Sequence, residues 1–334
     1  MKSLTFAVLR LLAGGEFRSG EDIARELGIS RASVSNALRD PDLAGIGLYK
    51  VRGRGYRLPE PVQWLDQSAI HGALGVRAGQ FEVEVVDRVE STNSLLLRKA
   101  ALGAAHGSCL VAELQTAGRG RRGRQWHGTL GGSLTFSLLW RFSQGAGFLS
   151  GLSLAVGVAV MRALEEAGIP GAALKWPNDV LHQYRKLAGI LIELQGDMLG
   201  PSAAVIGIGL NLRLSHQSVE QIDQAVVDLH TLLGAMPDRN RLLAQLLGHL
   251  VDVLQQFEGE GFTSLRQEWQ ARHAYHRRPV RLLLPDGAQE EGLVLDVADD
   301  GALMVETRQG LRRFTSGELS LRGIAGLQTD GAVA

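Results

Sequence analysis

The sequence predicts an α+β protein in three parts, and three observations carry that expectation. The first sixty residues hold short amphipathic helix patterns followed by a basic glycine turn. The middle sets strands and helices together without regular βαβ alternation, and the tail is a run of short strands parted by tight turns. These shifts in pattern divide the chain at 1–60, 61–275 and 276–325.

Composition narrows the function classes. With 334 residues, 45% of them apolar, the chain is long enough for two or three cored domains and too apolar to be wholly disordered. Thirty-five basic residues offset 35 acidic ones, so any contact with nucleic acid must come from a local patch. The 42 glycines follow no collagen-like period and point to turns and close backbone approach. A single cysteine, Cys109, excludes an intrachain disulfide and a cysteine-rich zinc site and fits a reducing cytoplasm. The apolar start after Met1-Lys2-Ser3 is broken by Arg10 and reads as an amphipathic helix rather than a secretion signal. No stretch reaches the roughly 20 apolar residues of a membrane span. Leu149–Met161 comes nearest and ends at Arg162.

The elements follow in order. Leu4, Val8, Leu11 and Leu12 recur at helical spacing. Ser19 and Asp22 cap a short second helix, Glu21–Leu27, which Gly28 closes in the left-handed region. Ser30 caps a third, from Arg31 to about Leu38, with Val34 and Leu38 inward. Pro41 should end or redirect the chain after Arg39-Asp40. Tyr49–Val51 and Tyr56–Leu58 flank Arg52-Gly53-Arg54-Gly55 as a two-stranded hairpin. Pro59-Glu60-Pro61 is a stiff linker. Strands are expected over Phe81–Val89, Ser108–Glu113, Ser133–Trp140, Ala188–Gln195 and Ala203–Leu214, with Gly196–Pro201 as a connection. Gly151–Ala167 and Asp238–Phe257 have the period of buried helices, and Leu265–Tyr275 is a last one. In the tail, Val280–Leu284, Glu291–Val297, Leu303–Glu306 and Arg312–Thr315 are short strands, turned at Pro285-Asp286-Gly287 and Asp299-Asp300-Gly301.

Three groupings carry chemistry. The N-terminal part has the layout of a winged helix-turn-helix. Arg31, Ser35, Asn36 and Arg39 lie on or beside the outer face of its third helix, and Arg52 and Arg54 on the wing. Ten Lys/Arg against seven Asp/Glu from Met1 to Glu60 leave a local charge of only +3, so phosphate contact is weakly supported by charge alone. Gly118-Arg119-Gly120-Arg121-Arg122-Gly123-Arg124-Gln125-Trp126 combines exposed amides, guanidinium forks for phosphate or carboxylate, and an aromatic face. Arg124-Gln125 stands where a P-loop has Lys-Ser/Thr, so it is no Walker A site. Like charges and glycines predict a cover that orders around its ligand. Finally, Lys175-Trp176-Pro177-Asn178-Asp179 places a lysine, an amide and a carboxylate on one turn. Lys186 then opens a strand, and Gly207-Ile208-Gly209 leaves room beside Asn211.

Together, Ser91-Thr92-Asn93, the Gly118–Trp126 segment, Lys175–Asp179, Lys186–Leu191 and Gly207–Asn211 resemble, in this order, the biotin–protein ligases. With the winged N-terminal part and the β tail, the resemblance extends over nearly the whole chain to the bifunctional bacterial branch, the BirA family of ligases that also repress the biotin operon. It implies a central ligase domain of the biotin/lipoate type and an SH3-like C-terminal β-barrel.

The resemblance also implies the reaction. Biotin's carboxylate attacks the α-phosphate of ATP, with Mg²⁺, to give biotinyl-5′-AMP and pyrophosphate. A lysine of the biotin carboxyl carrier protein of acetyl-CoA carboxylase then takes the biotinyl group and releases AMP. By the same resemblance, Lys186, Arg121 and Asp179 are catalytic. Ser91, Thr92, Asn93, Gln115, Arg119, Gly120, Arg121 and Lys186 hold biotin, and Arg121, Arg124, Trp126, Lys175, Asn178 and Asn211 hold ATP. Asp179 is the candidate Mg²⁺ ligand or proton acceptor. The adenylate-bound form is expected to be a homodimer on operator DNA, contacted through Arg31, Ser35, Asn36, Arg39, Arg52 and Arg54. The alternatives are a lipoate–protein ligase-like enzyme and a ligase that does not bind DNA. No membrane partner is expected.

Overall fold

The computed structural model describes residues 3–39, 47–196, 200–284, 288–315 and 320–323. In chain order the helices are α1 (Ser3–Leu11), α2 (Gly20–Leu27), α3 (Arg31–Ala37), α4 (Gln67–Leu74), α5 (Thr92–Ala101), α6 (Leu152–Glu166), α7 (His216–Glu220), α8 (Leu229–Leu233), α9 (Arg239–Glu260) and α10 (Thr263–Ala271). The strands through the middle are β1 (Tyr49–Val51), β2 (Gly55–Arg57), β3 (Glu82–Val89), β4 (Ser108–Gln115), β5 (Gly118–Arg119), β6 (Gln125–Trp126), β7 (Ser133–Phe142), β8 (Ala172–Lys175), β9 (Asp179–His182), β10 (Arg185–Gly196) and β11 (Ser202–Asn211). The tail adds β12 (Pro279–Leu283), β13 (Gln289–Val297), β14 (Leu303–Thr307), β15 (Gly310–Phe314) and β16 (Ser320–Gly323). The chain forms two compact units: Met1–Arg141 with Leu191–Gln195 and Ala203–Gln245, and Phe142–Ile190 with Gly196–Ser202 and Leu246–Ala334.

The first unit begins with the winged helix-turn-helix. Ser19 caps α2 by accepting the Asp22 amide, and Ser30 caps α3 by accepting that of Ser33. Between them Gly28 sits at φ 64°, ψ 32°, a left-handed position that glycine takes at least cost. Tyr49 pairs with Arg57 and Val51 with Gly55, so the basic turn is the tip of the wing. Phe6, Val8, Leu9, Leu12, Ile23, Val34 and Leu58 fill the core, joined by Leu114 and Leu130 from further along the chain. The inward residues of α3 are Val34 and Ala37. Leu38, expected inside, is only half-buried, because α3 ends at Ala37 and Leu38 lies in the turn beyond it. The expected turn at Pro41 lies outside the described residues.

The same unit carries strands in the order β3-β4-β7-β11-β10, counting the Leu191–Gln195 part of β10. β3 and β4 are parallel, Val85 beside Val111, whereas β4 and β7 are antiparallel, Val111 beside Phe136. A parallel pair needs a crossover, and α5 supplies it between β3 and β4. Leu96 and Ala100 of α5 pack on Leu139, Ala203 and Val205.

In the second unit α6 is buried nearly all round, as the apolar run Leu152–Leu164 dictates. Beside it lie β10-β9-β8, where β9 pairs with both neighbours: Lys175 faces Asp179, and Gly189 faces Asp179 on the other side. The tail is a five-stranded antiparallel sheet in the order β15-β14-β13-β12-β16. Its four foreseen strands are present, and β16 adds a fifth. The foreseen turn at 285–287 lies outside the described residues. Among the described residues no helix is long and apolar enough to cross a membrane.

One buried group in this unit makes stability depend on pH. His273 stacks on Trp269 at 4.6 Å between ring centroids, and no polar partner meets either ring nitrogen. Burial disfavours its charged form and lowers its pKa to about 3. The unfolded chain protonates this histidine near pH ~6.5, while the folded chain does not. His273 therefore costs no stability above about pH 6.5. Its contribution is lost as pH falls from there towards 3, by about 1.4 kcal/mol per pH unit. Urea unfolding at pH 7, 6 and 5 should give a shallower pH slope for His273→Phe than for the natural chain, and equal slopes would exclude this origin.

Candidate active site

In the first unit, the site is built on the N-terminus of α5. Ser91 caps the helix, accepting the Ser94 amide at 3.4 Å, which brings Ser91, Thr92 and Asn93 into the interior at 3% exposure each. Gln115, ending β4, accepts the Thr92 amide at 2.7 Å and its hydroxyl at 3.1 Å. Ser137 on β7 donates to Asn93 Oδ1 at 2.6 Å and lies 2.7 Å from Thr92 Oγ1. Asn93 Nδ2 donates to the Leu191 carbonyl at 3.1 Å and to Glu193 Oε2 at 3.0 Å. Thr92, Asn93 and Gln115, three of the residues expected to hold biotin, thus share one hydrogen-bonded floor with Ser137, and Ser91 caps the helix that carries it.

The arginine segment folds back on itself beside that floor. Gly118 pairs with Trp126 and Arg119 with Gln125, so β5 and β6 make a tight hairpin. Gly120 donates to the Arg124 carbonyl at 2.7 Å, and Arg122 at the tip takes a left-handed φ of 56°. Arg119 forms a forked ion pair with Glu193, 2.7 Å at its shorter arm, and donates to Ser94 Oγ at 3.1 Å. Arg124 is exposed and Arg121 half-buried. On β11, Gly207 and Gly209 face this structure. A Cβ at Gly207 would overlap the Asn93 side chain, and one at Gly209 the Trp126 indole. The small residues foreseen beside β11 are therefore seats for two of the expected ligand-holding groups. Asn211 is buried and donates to the Val227 carbonyl at 3.1 Å.

In the second unit a turn gathers charge. The Trp176–Pro177 peptide is cis, and the turn is pinned at three points. Ser153 donates to the Pro177 carbonyl at 3.0 Å, Asn178 Nδ2 to the Ile190 carbonyl at 2.8 Å, and the Trp176 indole to the Gly301 carbonyl at 3.0 Å. Asp179 Oδ1 meets Lys186 Nζ at 2.7 Å and Oδ2 lies 3.9 Å from Lys175 Nζ. All three side chains are largely enclosed, with exposures of 10% for Lys175, 13% for Asp179 and 16% for Lys186. The formal charge of the trio is +1, a cationic place that water screens poorly.

Of the residues expected on DNA, Arg31, Asn36, Arg39, Arg52 and Arg54 are exposed and Ser35 half-buried. Two of the wing's cations lie on aromatic faces: Arg54 stacks on Phe17 at 4.3 Å, and Arg57 lies 5.0 Å from Tyr49 and 5.1 Å from Phe17.

The family profile for Biotin/lipoate A/B protein ligases matches residues 85–211, that for an HTH domain 5–57, and that for the biotin protein ligase C-terminal domain 278–322. "Bifunctional ligase/repressor BirA" of Salmonella typhimurium is 37% identical over 324 residues, 96% of this chain and 99% of that protein. The chain belongs to the BirA family. The Escherichia coli member is 36% identical over 94% of this chain and 96% of its own length. The biotin protein ligase of Aquifex aeolicus in complex with biotin and ATP superposes with a TM-score of 0.63 at 30% identity. It covers 73% of this chain and 99% of its own.

Sequence reasoning missed three polar residues that bond to the expected site residues or their turn: Ser137 and Glu193 in the first unit, and Ser153 in the second. Ser137 had a signal, being one of two hydroxyls, with Thr135, within the otherwise apolar run Leu134–Trp140. Glu193 had none beyond its charge in a strand. Among the described residues no group of three His, Cys, Asp or Glu is placed to hold a metal ion.

Proposed function

We propose that the protein is an ATP-dependent biotin–[biotin carboxyl carrier protein] ligase of acetyl-CoA carboxylase that also represses transcription when loaded with biotinyl-5′-AMP. The observation that carries the ligase reading is the enclosed Lys175–Asp179–Lys186 trio. Two anions, a carboxylate and a triphosphate, must approach one another in the first step, and the trio supplies net positive charge on paired strands.

In this reading the residues divide by what each can offer. Ser91, Thr92, Asn93 and Gln115 present a polar floor to the ureido ring. Arg119, Gly120 and Arg121 cover the ligand. Lys186 bonds the biotin carboxylate and then the bridging oxygens of the adenylate. Arg121, Arg124, Lys175 and Asn178 hold the nucleotide's phosphates, Trp126 offers its indole to the adenine side, and Asn211 completes the ATP-holding set. Asp179 has both oxygens turned to lysine ammonium groups, a poor setting for a resident Mg²⁺. Mg²⁺ therefore enters as part of the MgATP substrate, and Asp179 acts by fixing the Lys186 amine. The activated acyl phosphate needs no enzyme nucleophile.

Incubation with biotin, ATP, Mg²⁺ and a carrier domain should add one biotinyl group to the carrier, read by mass. Lipoate in place of biotin should add nothing, and the reverse pattern would favour the lipoate alternative. For the repressor role, the exposed α3 and wing cations are the support, and an adenylate-bound homodimer would present two of them to a two-half-site operator. Biotin with ATP should tighten operator binding in a gel-shift titration. Equal affinity with and without them would leave a ligase without DNA control.

A further inference from the structure

We propose that Glu193 is the positioning residue of the arginine hairpin: its carboxylate ties Arg119 to Asn93 and so keeps the hairpin on the ligand floor. Glu193 lies in the Leu191–Gln195 segment of β10, and its side chain is 22% exposed. Oε1 takes Arg119 at 2.7 Å, while Oε2 takes Arg119 at 3.3 Å and Asn93 at 3.0 Å. One carboxylate therefore bridges the cover and the floor. Asn93 cannot turn away, since Ser137 and the Leu191 carbonyl hold its other groups. Arg119 is paired with Gln125 across the hairpin, so fixing Arg119 fixes both of its strands.

A forked guanidinium–carboxylate pair is directional as well as attractive. It also removes one of four like charges that would push the hairpin open. An amide at position 193 keeps the shape but gives up the charge and one of the two accepting oxygens. No other carboxylate contacts Arg119 among the hydrogen bonds and ion pairs of the described residues. The inference rests on the ligase reading for its consequence, which is retention of the adenylate, but not for its structural premise.

Two measurements on the full-length protein separate premise from consequence. Without ligand, trypsin should cut the Arg119–Arg124 segment about tenfold faster in Glu193→Gln than in the natural chain, as expected for loss of a charged hydrogen bond. With biotin and MgATP, the variant should release adenylate about tenfold faster than the natural chain, at an unchanged melting temperature. Glu193→Asp keeps the charge and should recover part of both effects, which also covers the case of a poorly folded glutamine variant. Unchanged cleavage in both variants would overturn the proposal. Faster cleavage with unchanged adenylate release would overturn its role in retention. If the natural chain makes no adenylate, the ligase reading fails while the cleavage result still judges the tie.

Discussion

Lys186→Ala should lower the rate of adenylate formation by about 10²–10³-fold, the loss usual when one preorganised donor to a developing charge is removed. The amine sits on β10 where Lys186 pairs with Leu181, next to a register shift between Lys186 and Ala188. The Lys186 side chain meets Asp179 Oδ1 of β9 at 2.7 Å. The ion pair fixes the amine on a strand, so little reorganisation is needed as charge develops. Lys186→Arg should not restore the rate, because the longer, planar guanidinium spreads its charge and cannot deliver the compact point charge of an ammonium to the same place. Pyrophosphate release under single-turnover conditions is the measurement. Since the interaction grows as the two anions meet, the loss should fall on kcat more than on the KM for biotin. A variant that forms adenylate at the natural rate would remove Lys186 from the chemistry.

Much of this arrangement was legible because it is local. Ser19, Gly28 and Ser30 specify the ends of α2 and α3 within a few residues, and the structure places all three where capping chemistry requires. The buried leucines at 242, 243, 246, 247, 250 and 254 follow the helical period of α9. What stayed hidden was short or distant. β8 and β9 are four residues each, too brief for an alternation to show, although the turn between them was plain from Pro177-Asn178-Asp179. α5 has no clear signal, because the run Leu95-Leu96-Leu97 blurs the helical period that follows the Ser91 cap. The arginine segment, expected as a cover over the ligand, takes the form of a paired hairpin, because the glycine at 118 lets its strand lie against Trp126. Its tie to Glu193 spans 74 residues, and nothing in a local window announces such a partner.

The largest loss of stability should come from a residue that no motif marks. Arg239, at the start of α9, is fully buried against Glu113 of β4, with 0% exposure on both side chains and a contact of 2.8 Å. The pair does more than neutralise itself. Arg239 Nη1 also donates to the Gln63 carbonyl at 2.7 Å, Nη2 donates to that of Ser133 at 3.3 Å, and Glu113 Oε1 accepts the Leu65 amide at 2.6 Å. Asn240 accepts the Asp66 amide at 2.8 Å and donates to the Trp64 carbonyl at 3.2 Å. The clamped stretch, Gln63–Asp66, is the chain that leads from the winged helices into the ligase core. Arg239→Met would leave a carboxylate buried without its cation and should cost about 3–5 kcal/mol. Replacing both partners with Met and Leu should recover only part of that. The charge problem disappears, but the Leu65 amide and the Gln63 and Ser133 carbonyls still lose their partners. Urea unfolding of the three variants measures the ledger, and proteolysis within Gln63–Asp66 measures where it is felt. If Arg239→Met unfolds within about 1 kcal/mol of the natural chain, the pair is no more than an ordinary surface-strength contact. If cleavage in the linker does not rise, the clamp does not hold it.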